Sequence, residues 1–284
     1  MKNPRLGIMQ GRLSPPTNDQ IQEFPVDHWS QELFKCDALG LDCVEWVYEY
    51  PTAEANPLRT AAASKIVADT LAKSSVRVNS IIADYFMEKL LFGRDHDAVK
   101  EALSVLNSLV EVSAALGIPL IELPFVDSSA LVTKVAQDEV VFNLAPIVGK
   151  ASEKGVKISF ETSLGPMEFR ELIEKFLPLQ IYVNYDMGNS AALGFDPAEE
   201  IGLLGDRIVN VHIKDRKRYG GTVPLGEGAT RFDIVFSELK KADYQGDFIL
   251  QAARQDVSSC NRRKSPEDTI NNYIDFVRPY LAQL

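Results

Sequence analysis

The chain has 284 residues and a hydrophobic share of 45%, with no apolar run near the ~20 residues of a membrane span, so it reads as a globular protein with a full core and no membrane partner. Its net charge of −10 excludes a nucleic-acid partner, because binding a phosphate backbone needs a basic surface. Cys36, Cys43 and Cys260 are odd in number and lack metal-ligand spacing; as reduced packing residues, beside an N-terminus without a secretory apolar stretch, they point to the cytoplasm.

The predicted elements alternate along the whole chain. Arg5 to Gln10 is a short apolar strand running into Gly11 and a proline-bearing loop. A helix over 27–39 is closed by Gly40, and Leu41 to Val47 forms the second strand with Glu45 near its end. Asn56-Pro57 opens a helix through Lys73, and Val76 to Ala83 is the third strand. The helix over 95–116 is the clearest, with Val99, Leu103, Leu106, Val110 and Ala114 on one face and Gly117 as its stop. Strand four over 119–123 carries Glu122. A helix over 136–154 precedes strand five over 156–160, which leads to Glu161. A helix over 166–176 follows.

The stretch from Ile181 to Lys217 is predicted as strand, loop, short helix and strand. The two strands stop at Asp186 and His212, and Asp196-Pro197 supplies an N-cap and first-turn proline between them. A strand-helix-strand unit makes the strands parallel neighbours, so Asp186 and His212 emerge at one end of one sheet. They are a half-site for a divalent metal, or else a turn cap and a buried core histidine. A helix over 231–242, strand eight over 246–250 and a last helix over 266–281 complete the pattern.

Eight strand-helix alternations without a linker predict a single-domain (β/α)8 TIM barrel over 1–284. An open doubly wound sheet is disfavoured because no glycine-rich phosphate fingerprint follows the first strand. Barrel enzymes work at the C-terminal strand ends, which here carry Gln10, Glu45, Asp84, Glu122, Glu161, Asp186, His212 and Gln251. Asn184 shares a face with Asp186, and Asn210 with His212. Glu161, Asp186, His212 and Gln251, from strands five to eight, form a donor set for Mn²⁺, Mg²⁺ or Zn²⁺. The basic clusters at 216–218 and 262–264 read as solvated loops.

LGIMQGRL, GLDCVEW, FET, YDMGN, VHIKD, VPLGEG and the final ILQ occur in this order. With these motifs the chain resembles the xylose isomerase-like barrels of the sugar phosphate isomerase/epimerase group, nearest to pentulose-5-phosphate 3-epimerases and D-tagatose 3-epimerases. The resemblance implies a metal-dependent isomerase or epimerase of a ketose or related sugar, a small-molecule substrate and a possible homo-oligomer. It implies a divalent metal on Glu161, Asp186, His212 and Gln251, gripping the sugar's carbonyl and a neighbouring hydroxyl, with Glu161 and the strand-eight residue as catalytic pair. Substrate contacts are expected from Gln10, Glu45, Asn189, Lys214, Arg218 and Glu227, the last also a plain turn residue.

Two departures bear on this. Gln251 stands where the epimerase pattern has Glu, and an amide transfers no proton. Either one base moves the proton along one face, or Glu45, Glu122, Asp84 or Lys214 supplies the missing acid, or the barrel binds sugar without turning it over. Secondly, the loop after strand three, ADYFMEKL, is acidic and aromatic where a phosphosugar enzyme has a basic loop, so an unphosphorylated substrate is expected. An inosose-type dehydratase is a further reading. A multi-zinc endonuclease is not, because His28, His96 and His212 are too few for its ligands.

Overall fold

The computed structural model describes residues 4–15, 22–253 and 265–284. Eight parallel strands close on themselves: β1 (Arg5–Met9), β2 (Cys43–Val47), β3 (Arg77–Ile82), β4 (Leu120–Phe125), β5 (Lys157–Thr162), β6 (Tyr182–Asp186), β7 (Ile208–Ile213) and, after the hairpin of β8 (Asp215–Arg216) and β9 (Thr222–Val223), β10 (Asp247–Leu250). Around the barrel the order is β1-β10-β7-β6-β5-β4-β3-β2, so the eighth predicted strand is β10, seated between β1 and β7. This is the predicted (β/α)8 barrel. No helix among the described residues is long and apolar enough to cross a membrane.

Helices α1 (Trp29–Ala38), α2 (Ala61–Leu71), α4 (His96–Leu116), α5 (Lys134–Glu153), α6 (Pro166–Glu174), α8 (Pro197–Leu204), α9 (Phe232–Lys241) and α10 (Pro266–Leu281) link the strands. They bury apolar side chains such as Leu106, Val110 and Leu172. Their ends follow local chemistry. Thr60, Asp95, Thr133, Asp196 and Ser265 accept backbone N–H groups at N-caps, and Pro166, Pro197 and Pro266 sit in first turns. Gly117 ends α4 in the left-handed conformation at φ 70°, as predicted.

Several elements differ from the sequence reading. α2 starts at Ala61 rather than at Asn56-Pro57, because the Asn56 side chain accepts from Trp46 Nε1 (3.1 Å) and Leu58 N and donates to Val47 O. β4 runs on through Pro124 to Phe125, which puts Glu122 inside the strand. Short helices α3 (Tyr85–Glu88) and α7 (Met187–Leu193) occupy stretches predicted as loop. Cys36 and Cys43 are buried free thiols, as expected; Cys260 and the basic cluster at 262–264 lie outside the described residues.

Candidate active site

Asp186 and His212 are register partners on neighbouring β6 and β7, and Glu161 reaches them from β5. His212 Nδ1 lies 3.6 Å from Glu161 Oε2 and 3.9 Å from Asp186 Oδ2. The three donor atoms lie within 4.8 Å of one another, the spacing that bonds of ~2.0–2.3 Å to one central cation produce. Gln251, the first residue beyond β10, is buried; its Nε2 donates to Gln22 Oε1 (3.0 Å), and its Oε1 has no hydrogen-bond partner. A buried orphan acceptor costs stability unless something fills it. Two carboxylates, one imidazole nitrogen and this free oxygen fit a hard or borderline divalent cation.

Asp186 serves two neighbours at once. Its Oδ1 accepts from Gly188 N (2.9 Å) and Asn189 N (2.8 Å) at the start of α7, and its Oδ2 faces Lys214 Nζ at 3.1 Å. Burial alone would raise the carboxyl's pKa. Lys214, His212 and the backbone N–H of Asn189 outweigh burial and hold it below the usual range, so Asp186 is ionised.

The other edge of the imidazole faces the barrel interior. Nε2 lies 2.7 Å from Glu45 Oε2 and 3.3 Å from Glu122 Oε2. Glu45 Oε1 accepts from Ser80 Oγ (2.7 Å) and Asn210 Nδ2 (2.9 Å). Asn184 donates from Nδ2 to Glu161 Oε2 (3.0 Å) and lies 3.2 Å from His212 Nδ1. Its Oδ1 accepts from Asn210 Nδ2 (2.9 Å), which fixes the amide's orientation. A donor facing Nδ1 and a carboxylate facing Nε2 select the tautomer with its proton on Nε2, leaving the Nδ1 lone pair toward Glu161 and Asp186. Burial alone would lower the imidazole's pKa; Glu45, Glu122 and Asp186 outweigh it and raise it well above the usual range, so a cation at Nδ1 would compete with a proton there. Burial pushes the Glu122 carboxyl's pKa well up, against the opposing pull of the His212 ring.

Glu45, Glu122 and His212 also form a metal-type group. Access and donors distinguish it from the upper one. Glu45, Glu122 and His212 are fully buried, and the lone pair a cation would need on Nε2 carries a proton bonded to Glu45. The upper group adjoins the partly exposed Asn189 and Lys214, with Arg216 bonded to Asn189.

The residues expected to touch substrate fall in different places. Gln10, just beyond β1, accepts from Val47 N through Oε1 (3.1 Å), while its buried Nε2 has no partner. Asn189 Nδ2 bonds Glu161 Oε1 and its Oδ1 accepts from Arg216 Nη1 (2.8 Å). Lys214 stands on Asp186. Glu45 lies one layer below the mouth, because β2 continues past it to Val47. Glu227 is exposed at the tip of a loop whose Gly226, Gly228 and Thr230 N–H groups all bond Asp215. Arg218 is exposed, lies over the Tyr219 ring and lines a side cavity of about 360 Å³ with Gly194 and Asp196.

The arginine that joins Asn189 is Arg216, held also by Gly220 O. Sequence reasoning missed it, yet the strand period of two gives it: His212, Lys214 and Arg216 share one face.

The chain is 27% identical over 237 residues to the L-ribulose-5-phosphate 3-epimerase UlaE of Salmonella paratyphi A, covering 78% of this chain and 81% of that one. The structure of D-psicose 3-epimerase with D-tagatose from Clostridium cellulolyticum H10 superposes at a TM-score of 0.78 and 16% identity, covering 98% of this chain and 99% of that one. The IOLI protein with a bound zinc atom superposes at 0.72 and 15% identity, covering 97% and 99%. Residues 33–280 match the profile of one family, and the chain belongs to it: the xylose isomerase-like TIM barrels.

Proposed function

We propose that the chain is a divalent-metal-dependent isomerase or epimerase of a ketose or related sugar, with Glu161, Asp186, His212 and Gln251 holding the metal. The observation that carries this reading is the spacing of the first three donors, and the partnerless oxygen of the buried Gln251 supports it. UlaE and the psicose epimerase, whose names are those of sugar 3-epimerases, support the substrate class. Mn²⁺, Mg²⁺ and Zn²⁺ all suit the donors, and the zinc in the IOLI structure is one precedent. The two buried thiols fit a reducing cytoplasm.

A bound divalent cation would supply Lewis-acid stabilisation of negative charge at a substrate oxygen. The chain's own residues do the rest. Glu161 is the base: Asn184 bonds one of its oxygens and Asn189 the other, so its carboxylate is oriented before substrate arrives. Arg216, through Asn189, and Lys214, on Asp186, bring positive charge to the mouth. Gln10 Nε2 has a free donor for a sugar hydroxyl. Phe86 is fully buried, so the loop after β3 brings Asp84 and not an aromatic lid to this space, which favours an uncharged sugar over a phosphorylated one.

Metal analysis tests the proposal. Wild type should carry one equivalent of cation, and Glu161→Gln and His212→Ala should lose most of it. Equal stoichiometric metal in all three would place the site elsewhere. Incubation of the loaded protein with ketoses in D₂O should introduce deuterium next to the carbonyl; no exchange with any ketose would favour a barrel that only binds sugar.

A further inference from the structure

The proposed reaction leaves one proton without a carrier. Gln251 stands where a second carboxylate would serve, and an amide neither removes nor delivers a proton at a carbon. A candidate carboxyl is Asp84, two residues beyond β3.

Asp84 is set apart by what its side chain does not do. It occupies the N-cap position of α3 yet makes no capping hydrogen bond. Aspartate is favoured there because its oxygen accepts an orphan backbone N–H. Asp95, Asp186 and Asp196 all cap their helices in that way. The Asp84 carboxylate instead accepts from Gln22 Nε2, and Gln22 Oε1 accepts from Gln251 Nε2. Asp84 is thus joined through one side chain to the residue in the missing acid's place, and it is partly exposed. Burial, together with the charges of Glu161, Glu49 and Glu45, pushes its carboxyl up to about 7 against the opposing Gln22 bond. A carboxyl so poised both accepts and releases protons near neutrality.

We propose that Asp84 is the second proton-transfer residue of this site, paired with Glu161 across the bound sugar and positioned by Gln22. This rests on the isomerase/epimerase reading and narrows it to epimerisation. One carboxylate removes the hydrogen next to the carbonyl as a proton, and the C–H electron pair moves toward the carbonyl oxygen. The other carboxyl then delivers its proton to the opposite face of the same carbon as the carbonyl re-forms. No electrons are gained or lost, and water re-equilibrates the two carboxyls.

The test uses metal-loaded full-length protein, C3-epimer pairs of ketopentoses and ketohexoses, and D₂O. Wild type should interconvert a pair with deuterium at the epimerised carbon. Asp84→Asn should lose at least ~100-fold of that interconversion while keeping its metal, and should still exchange deuterium into the one epimer that Glu161 deprotonates. Interconversion by Asp84→Asn at the wild-type rate, loss of exchange in both epimers alike, or aldose formation in place of a second ketose would each overturn the proposal. Failure of wild type to exchange any ketose would instead overturn the isomerase reading beneath it. Should Asp84→Asn fold poorly, Gln22→Leu serves. Removing that hydrogen bond should move the limb of kcat/KM due to Asp84 to higher pH, and an unmoved limb contradicts the assignment.

Discussion

The two edges of the His212 ring face different environments. Below, Nε2–H meets Glu45, whose carboxylate also collects Ser80 and Asn210, in a layer sealed from solvent. Above, Nδ1 faces Glu161 and Asp186 at distances too long for hydrogen bonds, toward the partly exposed Asn189, Lys214 and Arg216. TIM-barrel interiors are ordinarily filled with branched aliphatic side chains. Polar Glu45, Ser80, Glu122, Asn184 and Asn210 in that space make sense as a support that orients one ring. The lower layer determines which nitrogen is free, and the upper layer uses it.

Substitutions on the two sides should therefore fail in different ways. His212→Ala belongs to both and should cost most. It leaves the Glu45 carboxylate buried without its counterpart, at about 3–5 kcal/mol in a urea titration, and it abolishes metal retention. Glu161→Gln should abolish turnover and loosen metal while moving the urea midpoint little; a loss of stability as large as that of His212→Ala would erase the distinction between support and socket.

Glu45→Gln acts from below. An amide in its place no longer pins the Nε2 proton, and metal affinity should fall about 10–100-fold with Glu161 and Asp186 untouched. Unchanged affinity by competitive chelation would mean that the ring is held by packing alone. At the rim, Arg216→Lys should lower kcat/KM roughly 10-fold because the planar fork to Asn189 and Gly220 is lost, whereas Arg218→Lys should change it little. The opposite order would restore Arg218 as the substrate arginine.

Outside the site the expected effect is on stability rather than activity. Glu200 accepts from Tyr185 and Ser190 hydroxyls, and burial pushes its carboxyl up to about 7. A carboxyl raised on folding binds its proton more tightly in the native state, so its contribution is fully present below its unfolded pKa and is lost as pH rises through about 7. Glu200→Gln should flatten the stability profile between the usual carboxylate range and neutral pH by roughly 1–3 kcal/mol, read from urea midpoints. An unchanged slope would assign that pH dependence to other groups.

What the sequence displayed was whatever local spacing controls. The Asp196-Pro197 start, the Gly117 stop and the facing of Asn184 with Asp186 and of Asn210 with His212 depend on neighbours a few residues away. Depth in the barrel does not. Glu45 and Glu122 looked like mouth residues because each falls near the predicted end of its strand, but Trp46-Val47 still follow Glu45 within β2, and β4 continues past Glu122 through Leu123-Pro124-Phe125. Their height was settled by adjacent strands, including a register shift at Val44/Glu45 against β3. The α7 helix lacks an apolar stripe and was signalled only by Asp186 as cap and Gly194 as stop. The contact between Asp84 and Gln22 joins residues far apart in the chain, and no spacing rule reports it.

The central claim is that a cation binds on the Nδ1 side of His212 while Nε2 stays with Glu45. Anomalous diffraction from crystals grown with manganese tests it most directly. The account predicts a single strong peak about 2.0–2.3 Å from His212 Nδ1, Glu161 and Asp186, with Gln251 Oε1 turned toward it. A peak on the Nε2 side among Glu45 and Glu122, or none at the mouth, would contradict it.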